Sequence, residues 1–183
     1  MEKTVFAGFG GQGVLMMGYT YAVAAMRDGK EVTYLPSYGA EMRGGTANCT
    51  IAVSDEEIYS PVASSPDHAV ILNKPSLLKF ESVLAEGGIM IVNSSLADME
   101  LARHDITAIE IPANDIAKRE FKNERTVNMI MLGAFVAATK ITSLESILNA
   151  LDEIVKGKKV GSLMKINRKS LDLGAEFVLK GAL

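Results

Sequence analysis

Short apolar runs recur along the chain, separated by longer stretches in which apolar and polar positions mix at helical spacing. Residues 3–9, KTVFAGF, carry β-branched and aromatic side chains and end in a continuous apolar run, the pattern of a buried parallel strand. Residues 11–27 contain no proline, hold many good helix formers and are apolar nearly all round, which predicts a helix covered on several sides. GKEVTYLP (29–36) reads as a turn and a second strand. Strand, helix and strand then form a βαβ unit whose crossover should be right-handed.

The pattern continues downstream. SYGAEMRGG (37–45) reads as a long polar loop, TANCTIAVS (46–54) alternates as a strand, and DEEI (55–58) turns toward another short strand. HAVILN (68–73) is a short apolar run. The stretch 75–88 is helical, with proline near its start and glycines at its end. IMIVNSS (89–95) and ITAIEIP (106–112) predict two more buried strands, and 113–121, 125–139, 143–155 and 162–179 predict helices. Ser143, with Ser146 in the following turn, suits a helix cap. This alternation predicts an α/β, Rossmann-like doubly wound fold with a mainly parallel sheet and helices on both faces. With no repeat, low-complexity segment or linker, residues 1–183 are expected to form one domain.

Composition narrows the function. A net charge of −3 disfavours a non-specific nucleic-acid binder, which needs a basic face. The single cysteine, Cys49, can make no internal disulfide and cannot by itself hold an iron–sulfur cluster or a structural zinc. In mid-strand, it is expected to be buried and inert. His68 and His104 have no Cys-x-x-Cys near them and no evident nucleophile partner. No signal peptide is visible, and the longest apolar stretch, 129–138, is about half of what spans a bilayer, so a cytoplasmic protein without a membrane contact is expected. Ten methionines are high for this length; Met16, Met17, Met129 and Met131 read first as core filler, and together with apolar helices they favour a large subunit interface.

GFGGQGV (8–14) follows a strand and opens a helix. Gly8, Gly10 and Gly13 fit G-x-G-x-x-G, in which successive glycines allow a tight turn, close approach of a phosphate, and packing of helix on strand. A helix N-terminus offers free N–H groups and partial positive charge to an anion. A tight βα turn with no ligand fits equally well. An NAD-type site needs an acid near the end of the second strand; Glu31 lies at its beginning and Glu41 well beyond it. Asn128, at the head of an apolar helix, is expected to bond nearby backbone, and Asn73, Asn93, Ser94 and Ser95, at strand ends, to cap helices.

PSYGAEMRGGTAN (36–48) packs three glycines, Glu41 and Arg43 into a short segment that is costly to order unless something fixes it. It reads as a solvated loop with an internal ion pair, or as a contact loop whose arginine reaches a phosphate or carboxylate. GFGGQGV, PSYGAEMRGGTAN, SPVASSPDHAVILNKPS (60–76) and NMIMLGA (128–134), in this order over nearly the whole chain, resemble the gamma subunit of 2-oxoacid:ferredoxin oxidoreductases. The YGAEMRGG form looks more like the 2-oxoglutarate type than the pyruvate type.

The resemblance implies an enzyme that converts a 2-oxoacid and coenzyme A to an acyl-CoA and carbon dioxide and reduces ferredoxin, in anaerobic metabolism. It implies alpha, beta and delta-type partner subunits that carry thiamine diphosphate, magnesium and iron–sulfur clusters, with the gamma chain helping to hold coenzyme A and bracing the catalytic subunits. No Gly-Asp-Gly with a following asparagine is present for a thiamine diphosphate site. The chain is thus expected to bind no cofactor of its own, to be inactive alone, and to self-associate when isolated. Gly8, Gly10, Gly11, Gln12 and Gly13 are the expected anion-binding turn, and Tyr38, Glu41, Arg43, Gly44 and Gly45 the loop facing coenzyme A or the partner subunits. A stand-alone nucleotide-binding module using the Gly8–Gly13 turn is the alternative.

Overall fold

Strand β1 (Glu2–Phe9) is apolar toward both sides, and it takes an interior place in the sheet. The computed structural model describes residues 1–38, 46–155 and 160–181. Among these, β1 is followed by α1 (Val14–Arg27), β2 (Glu31–Tyr38), β3 (Thr46–Ser54), β4 (His68–Ile71), α2 (Lys74–Glu81), β5 (Ile89–Asn93) and β6 (Thr107–Ile111). Then come α3 (Ala113–Phe121), a 3-10 turn (Glu124–Thr126), α4 (Val127–Thr139), α5 (Leu144–Ile154) and α6 (Val160–Gly181).

The described strands form one sheet in the order β2-β3-β1-β4-β5-β6. β1, β4, β5 and β6 pair in parallel, as expected for an α/β fold. β3 is antiparallel to both β1 and β2 and separates them. The first strand–helix–strand unit therefore exists, but its two strands are not neighbours. The reason is the length of the β2–β3 connection, residues 39–45: a parallel return needs a crossover of a dozen or more residues, whereas a short one folds back antiparallel.

Two other expectations change. Residues 55–67 form no strand; Asp55 instead pairs with Lys30 at 2.5 Å, and Asp67 accepts the Lys3 N–H at 2.7 Å. The helix expected over 75–88 stops at Glu81, because tertiary bonds replace helical ones: Ala85 N–H reaches the Pro66 carbonyl at 2.9 Å and Gly87 N–H that of Asp105 at 2.8 Å. Asn73 caps α2, its Oδ1 accepting from Ser76 N–H at 2.9 Å, and Ser143 caps α5 by accepting from Ser146 N–H at 3.0 Å.

The sheet is covered on both faces. On one, Phe6, Cys49, Ile51, Val70 and Ile91 pack beneath α1 and α4. On the other, Val5, Ala7, Ile71, Met90 and Val92 pack with Leu77 of α2 and with Leu84. Phe6, Tyr21 and Phe135 form an aromatic triangle with centroids 5.1–5.7 Å apart, each tilted or edge-on pair adding about 0.5–1.5 kcal/mol beyond burial. Cys49 is buried, and burial pushes its thiol up to about 12. Gly18 lets α1 lie directly on β3, since a Cβ there would overlap Cys49 Sγ. Gly133 and Gly174 do the same where α4 crosses α6, each facing a backbone carbonyl of the other helix.

Candidate functional site at the carboxyl edge of the sheet

At β1 the sheet changes direction of growth, with β2 reached on one side and β4 on the other. In open α/β sheets ligands gather outside the carboxyl ends of the strands at such a point. The GFGGQGV turn stands there. Gln12 N–H bonds the Phe9 carbonyl at 3.2 Å, and Gln12 Oε1 accepts the Phe9 N–H at 2.6 Å, closing the turn twice. Gly8 makes room for this fold-back: a Cβ would come within 2.6 Å of Gln12 Oε1 and 2.9 Å of Val14 Cγ2.

Gly11 and Gly13 have φ of 95° and 76°, values that L side chains rarely adopt. Gly13 also sits against Asn128, whose Nδ2 would be 2.5 Å from an added Cβ. The third glycine of the motif thus serves the turn and its contact with α4; close packing of helix on strand falls to Gly18 instead. Met17 N–H makes a helical bond to the Gly13 carbonyl at 2.9 Å, so the N–H groups of Val14, Leu15 and Met16 lie ahead of it with no partner inside the helix.

This turn forms one wall of a cleft of about 440 Å³. The other walls are Ser95 and Leu96 after β5; Asn114, Asp115 and Lys118 of α3; and Asn123 to Arg125 with Val127 and Asn128 at the start of α4. Asn93 holds these parts together. Its Nδ2 donates to Asn114 Oδ1 at 2.8 Å, and its Oδ1 accepts the Ala113 N–H at 3.2 Å, capping α3 from a neighbouring strand. Ser95 Oγ donates to Asp115 Oδ2 at 2.9 Å. Asn128 Oδ1 accepts the Met129 N–H at 2.9 Å, the local backbone bond expected of it.

The charges in the cleft are unequally satisfied. Lys118 Nζ lies 2.9 Å from Glu124 Oε1, and this bond raises the lysine pKa and lowers that of the glutamate. Asp115 has the Ser95 hydroxyl. The Arg125 guanidinium is exposed and makes no hydrogen bond or ion pair with the described residues; only its backbone N–H is held, by Asn123 Oδ1 at 3.0 Å.

Of the expected site residues, Gly11, Gln12 and Gly13 line the cleft; Gly8, at the end of β1, makes room for the turn, and Gly10 lies in the turn without lining the cleft. Tyr38 ends β2 at the same edge of the sheet, in register with Ala47, but β3 stands between β2 and β1, a lateral separation of about 10 Å. Glu41, Arg43, Gly44 and Gly45 lie outside the described residues. The sequence reading missed Asn114, Asp115, Lys118 and Arg125. The signal for them was the polar run between the strand at 106–112 and the apolar helix beginning near 127, which must also emerge at the carboxyl edge.

Cys49, the sole cysteine of the sequence, is buried among apolar side chains, and no group of three His, Cys, Asp or Glu side chains among the described residues is placed to hold a metal. No described helix is long and apolar enough to cross a membrane.

Residues 3–177 match the family model described as pyruvate ferredoxin/flavodoxin oxidoreductase. The chain belongs to this family. The resemblance drawn from four motifs is thereby shown. Within the family it is 41% identical over 180 residues to ketoisovalerate oxidoreductase subunit VorA of Methanothermobacter marburgensis, a match covering 97% of this chain and 37% of that one. The chain thus spans a little over a third of that relative's length. It is 35% identical over 172 residues to 2-oxoglutarate synthase subunit KorC of Methanocaldococcus jannaschii, covering 92% of each chain. Among solved structures, the gamma subunit of a keto/oxoacid ferredoxin oxidoreductase from Geobacter sulfurreducens is similar at a TM-score of 0.83 and 29% identity, over 98% of this chain and 99% of that one. A 2-oxoglutarate:ferredoxin oxidoreductase from Magnetococcus marinus, with 2-oxoglutarate, coenzyme A and succinyl-CoA bound, is similar at a TM-score of 0.86 and 26% identity, over 100% of this chain and 31% of that one.

Proposed function

We propose that this chain, acting as one gamma-type domain over residues 1–183, is a subunit of a cytoplasmic 2-oxoacid:ferredoxin oxidoreductase and holds part of coenzyme A in the cleft at the Gly11–Gly13 turn. The reaction joins the acyl carbon of the 2-oxoacid to the thiol sulfur of coenzyme A, breaks the bond to the carboxylate, and releases carbon dioxide and a proton. Two electrons pass to two one-electron ferredoxin centres. In this reading thiamine diphosphate, magnesium and the clusters belong to alpha, beta and delta-type partner chains; the single, buried cysteine of this chain supports that for the clusters. The observation that carries the reading is the polar cleft itself, at the switch point of a fold shared with an oxidoreductase solved with coenzyme A bound.

2-Oxoglutarate is the proposed substrate, supported by the match over nearly all of a 2-oxoglutarate synthase subunit and by the YGAEMRGG segment. The higher identity to a ketoisovalerate subunit favours a second reading, a branched-chain 2-oxoacid. Affinity purification of the tagged chain from its anaerobically grown host should yield a brown complex containing a thiamine-binding chain and a cysteine-rich chain. Assay of that complex with 2-oxoglutarate, 2-oxoisovalerate and pyruvate then decides the substrate: the highest kcat/KM is expected for 2-oxoglutarate. A colourless chain recovered alone would overturn the subunit reading and leave the Gly8–Gly13 turn to be tested as an independent nucleotide site.

A further inference from the structure

We infer that Asn93 is a positioning residue of the cleft: its amide sets the α3 and 3-10 wall against the glycine turn, and through that wall the affinity for coenzyme A. The assignment rests on the cleft reading just given. Asn93 ends β5, is wholly buried and lines no part of the cleft. Helix α3 has no side-chain cap of its own, because Pro112 stands at its N-cap, and Asn93 Oδ1 takes the Ala113 N–H at 3.2 Å in its place. That N–H and the Leu72 carbonyl, 3.4 Å from Nδ2, fix which end of the amide is which. Nδ2 therefore donates to Asn114 Oδ1 at 2.8 Å, and the Asn114 amide keeps its own Nδ2 for the Glu124 carboxylate. Lys118 first, and then Asn114, hold that carboxyl below the usual glutamate range. Glu124 in turn opens the 3-10 turn that leads into α4. One buried amide thus begins a chain, Asn93 to Asn114 to Glu124, that joins β5, α3 and the 3-10 turn. Capping alone needs only an acceptor, which aspartate supplies as well as asparagine. An aspartate carries no donor for Asn114 Oδ1. Without that donor, Asn114 Oδ1 is left buried and unpaired, or the Asn114 amide reverses and turns its oxygen to Glu124. Either change moves the wall.

The test uses the whole purified complex and reads kcat with the KM for coenzyme A and for the 2-oxoacid. Asn93→Asp keeps the cap on α3 and removes the donor, so it should raise the KM for coenzyme A about fivefold or more. The KM for the 2-oxoacid should not change, and kcat at saturating coenzyme A should be largely kept. Asn93→Ala should act in the same direction. Asn114→Ala leaves the cap in place and should raise the KM comparably. The double variant Asn93→Ala/Asn114→Ala should be no worse than the larger single effect, because both changes break one contact. Asn73→Ala is the control for a lost cap: Asn73 is also buried, caps α2 and lines no part of the cleft. It should lower the urea midpoint and leave the KM for coenzyme A unchanged. If Gly13→Ala raises that KM while Asn93→Asp and Asn93→Ala, recovered in the assembled complex, only lower the midpoint, the cleft holds coenzyme A and this inference is wrong. Penalties of Asn93→Ala and Asn114→Ala that multiply in the double variant would also overturn it. Where the Asn93 variants do not assemble, Asn114→Ala decides, and an unchanged KM refutes the inference. If no variant moves the KM, Gly13→Ala included, the cleft reading fails and the inference with it.

Discussion

Gly13 and Asn128 constrain one another. Any side chain at position 13 meets both a left-handed backbone, φ 76°, and Asn128 Nδ2. Gly13→Ala should therefore cost about 1–2 kcal/mol in stability from the backbone alone, and shift the start of α1 away from the cleft. Urea unfolding of the purified variant measures the first effect, and an unchanged midpoint would show that the turn relaxes freely. His68 gives a pH-dependent effect elsewhere. Its ring is largely buried beside Phe135, and burial lowers its pKa despite the pull of the Glu2 carboxylate, 3.3 Å from Nε2, and of Asp67. The unfolded chain then takes up a proton on this imidazole at higher pH than the folded one. This group's contribution to stability is complete above the ordinary histidine pKa of about 6.5 and declines as pH falls from there toward the lower folded value. The urea midpoint should drop between pH 7.5 and 5.5, and His68→Gln should flatten that drop. Equal slopes in the two proteins would exclude His68 as the cause.

Helices and strands set where those residues stand. α1 lies close on β3 because Gly18 has no Cβ to meet Cys49 Sγ. Gly18→Ala should destabilise by about 1–3 kcal/mol through overpacking, and Cys49→Ala in the same chain should return part of it, because the two side chains contend for one space. Additive losses in thermal unfolding would argue against that contact. α4 and α6 meet backbone to backbone, so Gly174→Ala, aimed at the Ile130 carbonyl, should cost at least as much as Gly18→Ala. Much of this was legible beforehand, since apolar runs and caps marked most elements to within a few residues. Strand order was not. Nothing in the TANCTIAVS alternation distinguishes a strand beside β2 from one inserted between β2 and β1; only the short 39–45 connection bears on it. The Gly-rich turn was legible because positive φ demands particular residues. The α3 and α4 side of the cleft was not, because Asn114, Asp115, Lys118 and Arg125 are ordinary polar residues of short helical segments until the sheet brings them opposite the turn.

At the scale of the whole molecule, the chain supplies a polar cleft and a fold that recurs both as a separate gamma subunit and within longer chains. The proposed role for this chain within a 2-oxoacid:ferredoxin oxidoreductase is to hold coenzyme A in that cleft. The most direct measurement is photoaffinity labelling of the purified complex with a coenzyme A analogue carrying a photoreactive group, followed by peptide mapping of every subunit. Labelling of this chain within residues 8–17 and 113–129, suppressed by excess coenzyme A, is the result predicted here. Saturable labelling confined to the partner subunits would contradict it.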